Sequence, residues 1–260
     1  MARPARPGCS RHVRAGARRA RARRRHRAGL APDVKVLAIS FVAFLSGFRN
    51  DLVSLGKLCR DRGVFFFVDA IQGLGALRLD VAAAGIDALA ADGHKWLCGP
   101  EGAGILYVAR HAQERVRVTS HGWLGLARRG SFADYYAPPR PDARRYEPGT
   151  LNHGGIAGLS GAVETLLDFG LPYIEERVLS LAARLADGVA ARGYRVLGSR
   201  AVGETSGIVS FARDGIDALA LERRLHERRI VIGQREGFLR AAPHFYNTED
   251  EIDALLAALP

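Results

Sequence analysis

Three short runs of this chain, residues 34–40, 64–68 and 88–91, are apolar at almost every position. A strand with one wet face would alternate apolar and polar residues. A run without alternation needs cover on both faces, the usual condition of a parallel sheet flanked by helices. Val34–Ser40 reads as such a strand. Asp51–Arg62 then has helical spacing, with Leu52, Leu55 and Leu58 apolar and Gly63 just past the end. Val64–Val68 reads as a second strand and ends on Asp69. A Gly-rich turn with Gly73 and Gly75 follows, then a short helix near Val81–Gly85 and a strand at Ala88–Ala91. Gly102–Val108 is a fourth strand candidate. The alternation predicts an α/β fold with a mostly parallel sheet covered on both faces.

Residues 125–150 form a polar connection rich in Arg and Pro that includes Tyr135, Tyr136, Pro138 and Pro139. A connection of this length is usually functional or mobile. Helices are expected at 154–168 and 171–192. The rest reads as strand (Ile208–Phe211), helix (Ile216–Glu227), strands (Ile230–Ile232 and Gly237–Arg240) and helix (Thr248–Ala258). Thr248 with Glu251 forms a capping box. This second pattern predicts a smaller α+β unit over 171–260, after a larger, partial α/β unit over 31–170.

Charge separates one further segment. Of the 38 Lys and Arg, 11 are arginines within residues 1–30, which have no acidic residue; the other 27 balance the 27 Asp and Glu. The formal charge of +11 therefore belongs to the head, and the body is neutral. That argues against a basic nucleic-acid-binding face on the folded part. The head lacks the apolar stretch of a secretory signal and the serines of a transit peptide. It reads as a start read in another frame of GC-rich DNA, as a solvated disordered tail, or as a basic arm for acidic partners. The longest apolar stretch, Val36–Phe48, is too short to span a bilayer. Cys9, Cys59 and Cys98 show no metal-ligand spacing and fit a reducing, cytoplasmic setting better than a disulfide scaffold.

The chemistry concentrates in V-D-A-I-Q-G-L-G at 68–75 and A-D-G-H-K-W-L-C-G-P-E-G-A-G at 91–104. Asp69 ends a buried strand, where open α/β sheets bind ligands. Lys95 follows 26 residues later, beside His94 and before a Gly-rich turn. A strand-end carboxylate and a lysine suit an aldehyde cofactor with a basic ring nitrogen. The amine forms a Schiff base, and the carboxylate keeps the ring protonated so that it accepts electrons. Taken singly, each residue has a structural explanation. Asp69 could end a strand, His94 and Lys95 could lie in a solvated loop, and Arg240 could serve a surface ion pair.

The ordered set over residues 34–260 resembles the class V aminotransferase family of pyridoxal-phosphate enzymes, which includes the cysteine desulfurases. The resemblance implies a partial fold type I large domain with a small α+β C-terminal domain. It implies that Asp69 pairs with the pyridine nitrogen, Gln72 hydrogen-bonds the phenolic oxygen, and His94 sits by the phosphate. Lys95 would be the Schiff-base lysine and the proton shuttle at the substrate α-carbon. In Y-E-P-G-T-L-N-H-G-G at 146–155, Gly149 and Thr150 match the loop that reaches the phosphate in the partner subunit's cofactor site, which implies a homodimer. In F-L-R-A-A-P-H-F-Y-N at 238–247, Arg240 matches the arginine that grips the substrate carboxylate.

The sequence also departs from the family pattern. Asp92 stands where many relatives carry a Ser or Thr that bonds the phosphate, and a carboxylate there is repulsive unless protonated, turned away or bridged by a donor. No cysteine follows Cys98, so the nucleophilic thiolate of the desulfurases is missing. The upstream loop that cradles the phosphate has no counterpart in residues 1–30, which suggests truncation at the N-terminus. The expected activity is a class V aminotransferase-like reaction on a small amino acid. The alternatives are a cysteine desulfurase or selenocysteine lyase-like reaction, or a non-catalytic remnant with a basic head.

Overall fold

The computed structural model describes residues 30–127, 134 and 136–260; the Arg-rich segment before Leu30 and Tyr135 lie outside the described residues. The apolar runs form β1 (Val36–Ser40), β2 (Phe65–Asp69) and β3 (Ala88–Asp92), and the Gly-rich turn leads into β4 (Gly104–Val108). The sheet order is β1-β2-β3-β4. The first three strands are parallel, with Asp69 level with Ser40 on one side and Ala90 on the other. β4 returns antiparallel, placing Gly104 opposite Asp92. Parallel pairing puts the C-terminal ends of β1, β2 and β3 along one edge of the sheet, so the residues after each strand converge.

Cover on both faces is achieved only at the centre. Phe66 and Val68 of β2 are fully enclosed and Leu89 of β3 is nearly so, whereas Val36 of β1 is 56% exposed and Leu106 of β4 48%. The expectation of uniform cover fails at these flanks, where among the described residues β1 and β4 each have a strand neighbour on one side only. Helix α1 (Leu52–Asp61) starts on Asp51, whose side chain accepts the Ser54 N–H, and buries Leu52, Leu55, Gly56 and Cys59. This i, i+3, i+4, i+7 stripe faces the sheet, and Leu58 is only half-buried. A side chain at Gly56 would place its Cβ 1.7 Å from the Ala84 carbonyl oxygen, so the helix approaches that turn as closely as glycine allows.

Two helices follow, α2 (His153–Phe169) and α3 (Leu171–Ala191), separated by Gly170 at φ +87°. Then come β5 (Arg195–Val196), β6 (Val209–Ala212), helix α4 (Ala218–Glu227), β7 (Gly233–Arg235), β8 (Phe238–Ala241) and helix α5 (Glu249–Ala258). The four strands make an antiparallel sheet in the order β5-β6-β8-β7. Asp217 caps α4, and the Thr248–Glu251 capping box forms at α5. Helix α3 serves both halves. Ile174 and Val178 belong to the core around the first sheet, and Leu181, Leu185 and Val189 to the core of the second.

Two local readings needed correction. Val81–Gly85 is a turn closed by the Ile86 N–H on the Val81 carbonyl, not a helix; Gly85 at φ +62° stops it after one turn. Ile230–Ile232 lies outside the sheet, and the strand begins at Gly233. Register decides this, because Arg235 pairs with Phe238 across a two-residue turn in which Glu236 and Gly237 both have positive φ. The short strand β5 and the 3-10 turns at Arg110–Arg115 and Ala143–Tyr146 carry no apolar periodicity to announce them. In the long connection, the Ala127 N–H meets the Pro138 carbonyl and the Arg140 N–H meets the Gly125 carbonyl.

The two halves are joined by polar contacts that would be costly to leave unmade. The Ser206 hydroxyl donates to the Gly47 carbonyl at 2.8 Å and the Ser210 hydroxyl to the Leu45 carbonyl. Buried Glu175 on α3 accepts from Arg49 at 2.7 Å and from the more exposed Arg78. Burial pushes the Glu175 carboxyl up, but the hydrogen bonds from Arg78 and Arg49 outweigh it and hold the group below its usual range. Glu175→Gln should therefore cost about 2–4 kcal/mol of unfolding free energy, chiefly by leaving Arg49 half-buried without a counter-charge. A folded-state value below the unfolded one means that this contribution is full above the unfolded value and is lost as pH falls through the folded one. The gap between wild type and Glu175→Gln in urea unfolding should thus be present at pH 7 and close below about pH 4. A gap that stays constant down to pH 3 would show that the charge is not the cause.

Candidate active site

Asp69 closes β2 and is half-buried. One of its carboxylate oxygens accepts the Ile71 N–H at 3.1 Å, which fixes the side chain across the start of the turn. Its own carbonyl accepts the Phe41 N–H at 2.7 Å, tying it to the end of β1. Its second carboxylate oxygen has no hydrogen-bond partner among the described residues. β3 runs two residues past the level of Asp69, to Asp92, and then turns through Gly93, His94 and Lys95. With strands about 4.8 Å apart, this sets the Lys95 turn at the same edge of the sheet as Asp69. Lys95 and His94 are both exposed. Asp92 is exposed as well and stands opposite Gly104, at the outer pair of strands.

Gln72 and Arg240 are 168 residues apart, yet the Arg240 Nη2–H donates to the Gln72 Oε1 at 3.3 Å. Arg240 lies on β8, and its Nε–H also donates to the Phe44 carbonyl at 2.8 Å. Both acceptors are neutral. Burial, and then the like charge of Arg235, lowers the Arg240 pKa from the usual guanidinium range. A partly desolvated guanidinium that meets only neutral oxygens is a receptor for an anion.

Two neighbours that the sequence reading passed over complete the cluster. The Trp96 indole N–H donates to the same Gln72 Oε1 at 3.2 Å. The Trp96 carbonyl is 2.9 Å from the His244 Nε2, and the Phe245 N–H donates to the His244 Nδ1 at 2.7 Å. An acceptor at Nδ1 assigns the ring proton to Nε2, so His244 is a neutral donor to Trp96. Burial lowers the His244 pKa more than its bond to the Trp96 carbonyl raises it. Trp96 and His244 were within reach of the sequence reading. Trp96 follows Lys95 directly, and His244 lies in the same motif as Arg240.

Gly149 and Thr150 are set apart. Thr150 is exposed, and nothing lies within 4 Å of a Cβ built on Gly149. No hydrogen bond or ion pair among the described residues joins either one to Asp69, Gln72, Lys95 or Arg240. The Asn152 side chain holds this loop to the Gly102 carbonyl at 3.1 Å and caps α2 through the Gly155 N–H. A cavity of about 430 Å³ lies beyond His244, lined by Phe169, Tyr173, Arg177, Phe245, Tyr246, Asn247 and Thr248, and takes in none of the predicted residues.

The sequence model of the aminotransferase class-V family matches residues 13–255. The chain belongs to the class V aminotransferase family. The match starts inside the Arg-rich segment, upstream of the first described residue. Among relatives, the chain is 27% identical over 238 residues to an uncharacterized aminotransferase, YcbU, of Bacillus subtilis, covering 86% of this chain and 58% of that protein. Its fold matches the cysteine desulfurase CsdA of Escherichia coli with a TM-score of 0.79 at 28% identity, over 90% of this chain and 60% of that one. It also matches the cystine C-S lyase C-DES, in a lysine-to-alanine mutant with glycine covalently linked to the PLP cofactor. That TM-score is 0.78 at 25% identity, over 88% of this chain and 61% of that one. The chain thus spans about three-fifths of the length of these family members. Among the described residues no helix is long and apolar enough to cross a membrane.

The class V chain depends on glycine where Trp96 is seated. Gly75 has φ +101°, and a Cβ there would fall 2.2 Å from the Trp96 carbonyl oxygen; at Gly207 it would fall 2.5 Å from the indole ring. Gly75→Ala should cost at least about 1–3 kcal/mol through its backbone angle alone. It should also alter the Trp96 fluorescence, measured in a Trp123→Phe background. A thermal melt and an emission spectrum unchanged from that background would refute the fit.

Proposed function

We propose that this chain is a pyridoxal-phosphate-dependent enzyme that acts on a small amino acid, with Lys95, Asp69, Gln72 and Arg240 as its working residues. The observation that carries the reading is the Gln72–Arg240 hydrogen bond. It brings the strand-end group of Asp69 and Gln72 together with an arginine from the second sheet, at the edge where the Lys95 turn emerges. The donor set fits the cofactor. Asp69 keeps a carboxylate oxygen for a ring nitrogen, Gln72 has its amide oxygen occupied and its NH₂ to offer, and Lys95 has no ion-pair partner among the described residues. Pyridoxal phosphate, when bound, supplies an aldehyde that captures amines and a ring that withdraws electrons from the carbon beside the captured nitrogen.

Lys95 Nζ would hold the aldehyde carbon at rest and then move the proton at the substrate α-carbon. Asp69 would hold the proton on the ring nitrogen, and Gln72 would donate to the phenolic oxygen. Arg240 would bind the substrate α-carboxylate, for which its two-pronged guanidinium is suited. His94 would stand beside the phosphate. Gly149 and Thr150, set apart from this cluster, would serve the partner subunit's site in a homodimer. Small-molecule chemistry of this kind calls for neither a membrane nor a nucleic acid. Free Cys59 and Cys98 accord with a cytoplasmic setting.

Transamination or another Lys95-dependent reaction is favoured over desulfuration. The stretch from Arg229 to Arg240 has no cysteine, and its β7–β8 connection is a two-residue turn, not a loop able to carry one to the substrate. Desolvation pushes the Cys98 thiol up, which keeps it protonated and a poor nucleophile. The runner-up is a non-catalytic remnant, favoured by the apolar surface left open at Val36, Ile105 and Leu106. Titration with pyridoxal phosphate separates the two. The enzyme reading expects a visible absorbance band with the wild-type chain and none with Lys95→Ala. It expects Arg240→Lys to retain the band and lose about tenfold or more in kcat/KM. No Lys95-dependent band at saturating cofactor would leave the remnant reading standing.

A further inference from the structure

We infer that Trp96 is a positioning residue for the cofactor ring, acting through the orientation of the Gln72 side chain. The inference rests on the pyridoxal-phosphate reading of the site and adds a residue to it. A glutamine amide has one oxygen and one NH₂, and either can face a ligand unless neighbours decide. Here the Gln72 oxygen takes two donors, the Trp96 indole N–H at 3.2 Å and the Arg240 Nη2–H at 3.3 Å. Indole nitrogen and guanidinium are donors only, so neither can accept from the Gln72 NH₂. The flipped amide would lose both bonds and set N–H against N–H. Gln72 is thereby held with its oxygen inward and its NH₂ outward, the polarity needed to donate to a phenolate oxygen.

The two donors differ in how firmly they are held. Arg240 is a long side chain with a second task, and a substrate carboxylate would compete for its donors. Trp96 is fixed on every side. Trp96 is 6% exposed in the larger core, and its ring centroid lies 5.2 Å from that of His244, the two rings tilted by 43°. Its carbonyl is bonded by His244, and Gly75 and Gly207 give it the space it fills. His244 is itself oriented by the Phe245 N–H. The Gln72 polarity therefore survives even when Arg240 turns toward substrate, because the Trp96 donor does not move.

The test compares wild type, Trp96→Phe, Gln72→Ala and the double variant, each titrated with pyridoxal phosphate. Binding and the wavelength of the Lys95-dependent visible band are read. Trp96→Phe keeps the aromatic body and removes the N–H. It should weaken cofactor binding about three- to tenfold, the worth of one hydrogen bond. It should also move the band in the same direction as Gln72→Ala, and the double variant should show no further change. A band that moves in Gln72→Ala but not in Trp96→Phe, or effects that simply add, would overturn the positioning role and leave the cofactor reading intact. No band in the wild type would overturn both. If Trp96→Phe does not fold, the indole ¹⁵N–H resonance of Trp96 gives the answer in an unaltered core. Measured in a Trp123→Phe background, it should shift on adding pyridoxal phosphate and on Gln72→Ala. A resonance indifferent to both would sink the proposal.

Discussion

The burial of Trp96 is the constraint on which the arrangement depends. Its indole sits in the larger core, against a position on the approach to β6 where only glycine leaves room. Trp96 thus packs residues from both halves of the chain, Gly75 and Gly207, against one side chain and its backbone. Its two polar groups are then satisfied from opposite halves of the chain: the indole N–H by Gln72 after β2, the carbonyl by His244 after β8. Leaving either group unpaired in this environment would cost about 1–3 kcal/mol. The flanking residues, Lys95 before it and the Gly-rich turn after it, inherit a fixed backbone from that packing. Lys95 itself stays exposed beside that fixed backbone.

A second set of contacts keeps that geometry from drifting. The segment after β1 carries Leu45, Gly47 and Arg49, which bind Ser210, Ser206 and Glu175 respectively. Its Phe41 N–H is bonded to the Asp69 carbonyl, and Phe44 offers its carbonyl to Arg240. The same segment, residues 41–49, therefore holds Asp69, Arg240 and helix α3. Movement of the smaller sheet against the larger one would strain these bonds first. Helix α3, with its side chains divided between the two cores, makes such movement a matter of bending or tilting one continuous element.

Much of this was legible in the linear chain. The unbroken apolar runs announced a covered, mostly parallel sheet, because burial on both faces leaves no reason to alternate. The cap residues Asp51 and Thr248 stood where their helices begin. The motifs at 68–75, 91–104 and 238–247 pointed to the class V aminotransferase family, and the family match over residues 13–255 bears that out. Less legible were features set by pairing. β4 is antiparallel, β7 begins at Gly233 where the apolar run suggested 230–232, and Val81–Gly85 closes as a turn. Each depends on a partner strand or a glycine angle, and hydrophobic periodicity records neither.

Sequence by itself determined the three parallel strands, the end of β2 on Asp69 and the main helices, since apolar periodicity and caps act over a few residues. It also determined that the positive charge lies in one head segment and that no thiol follows Cys98. Tertiary structure alone decided that Arg240 meets Gln72, that Trp96 and His244 belong to the same cluster, and that Gly149 and Thr150 do not. These are contacts between residues as far as 168 positions apart. Their geometry follows from long-range packing around Trp96, which no local pattern encodes.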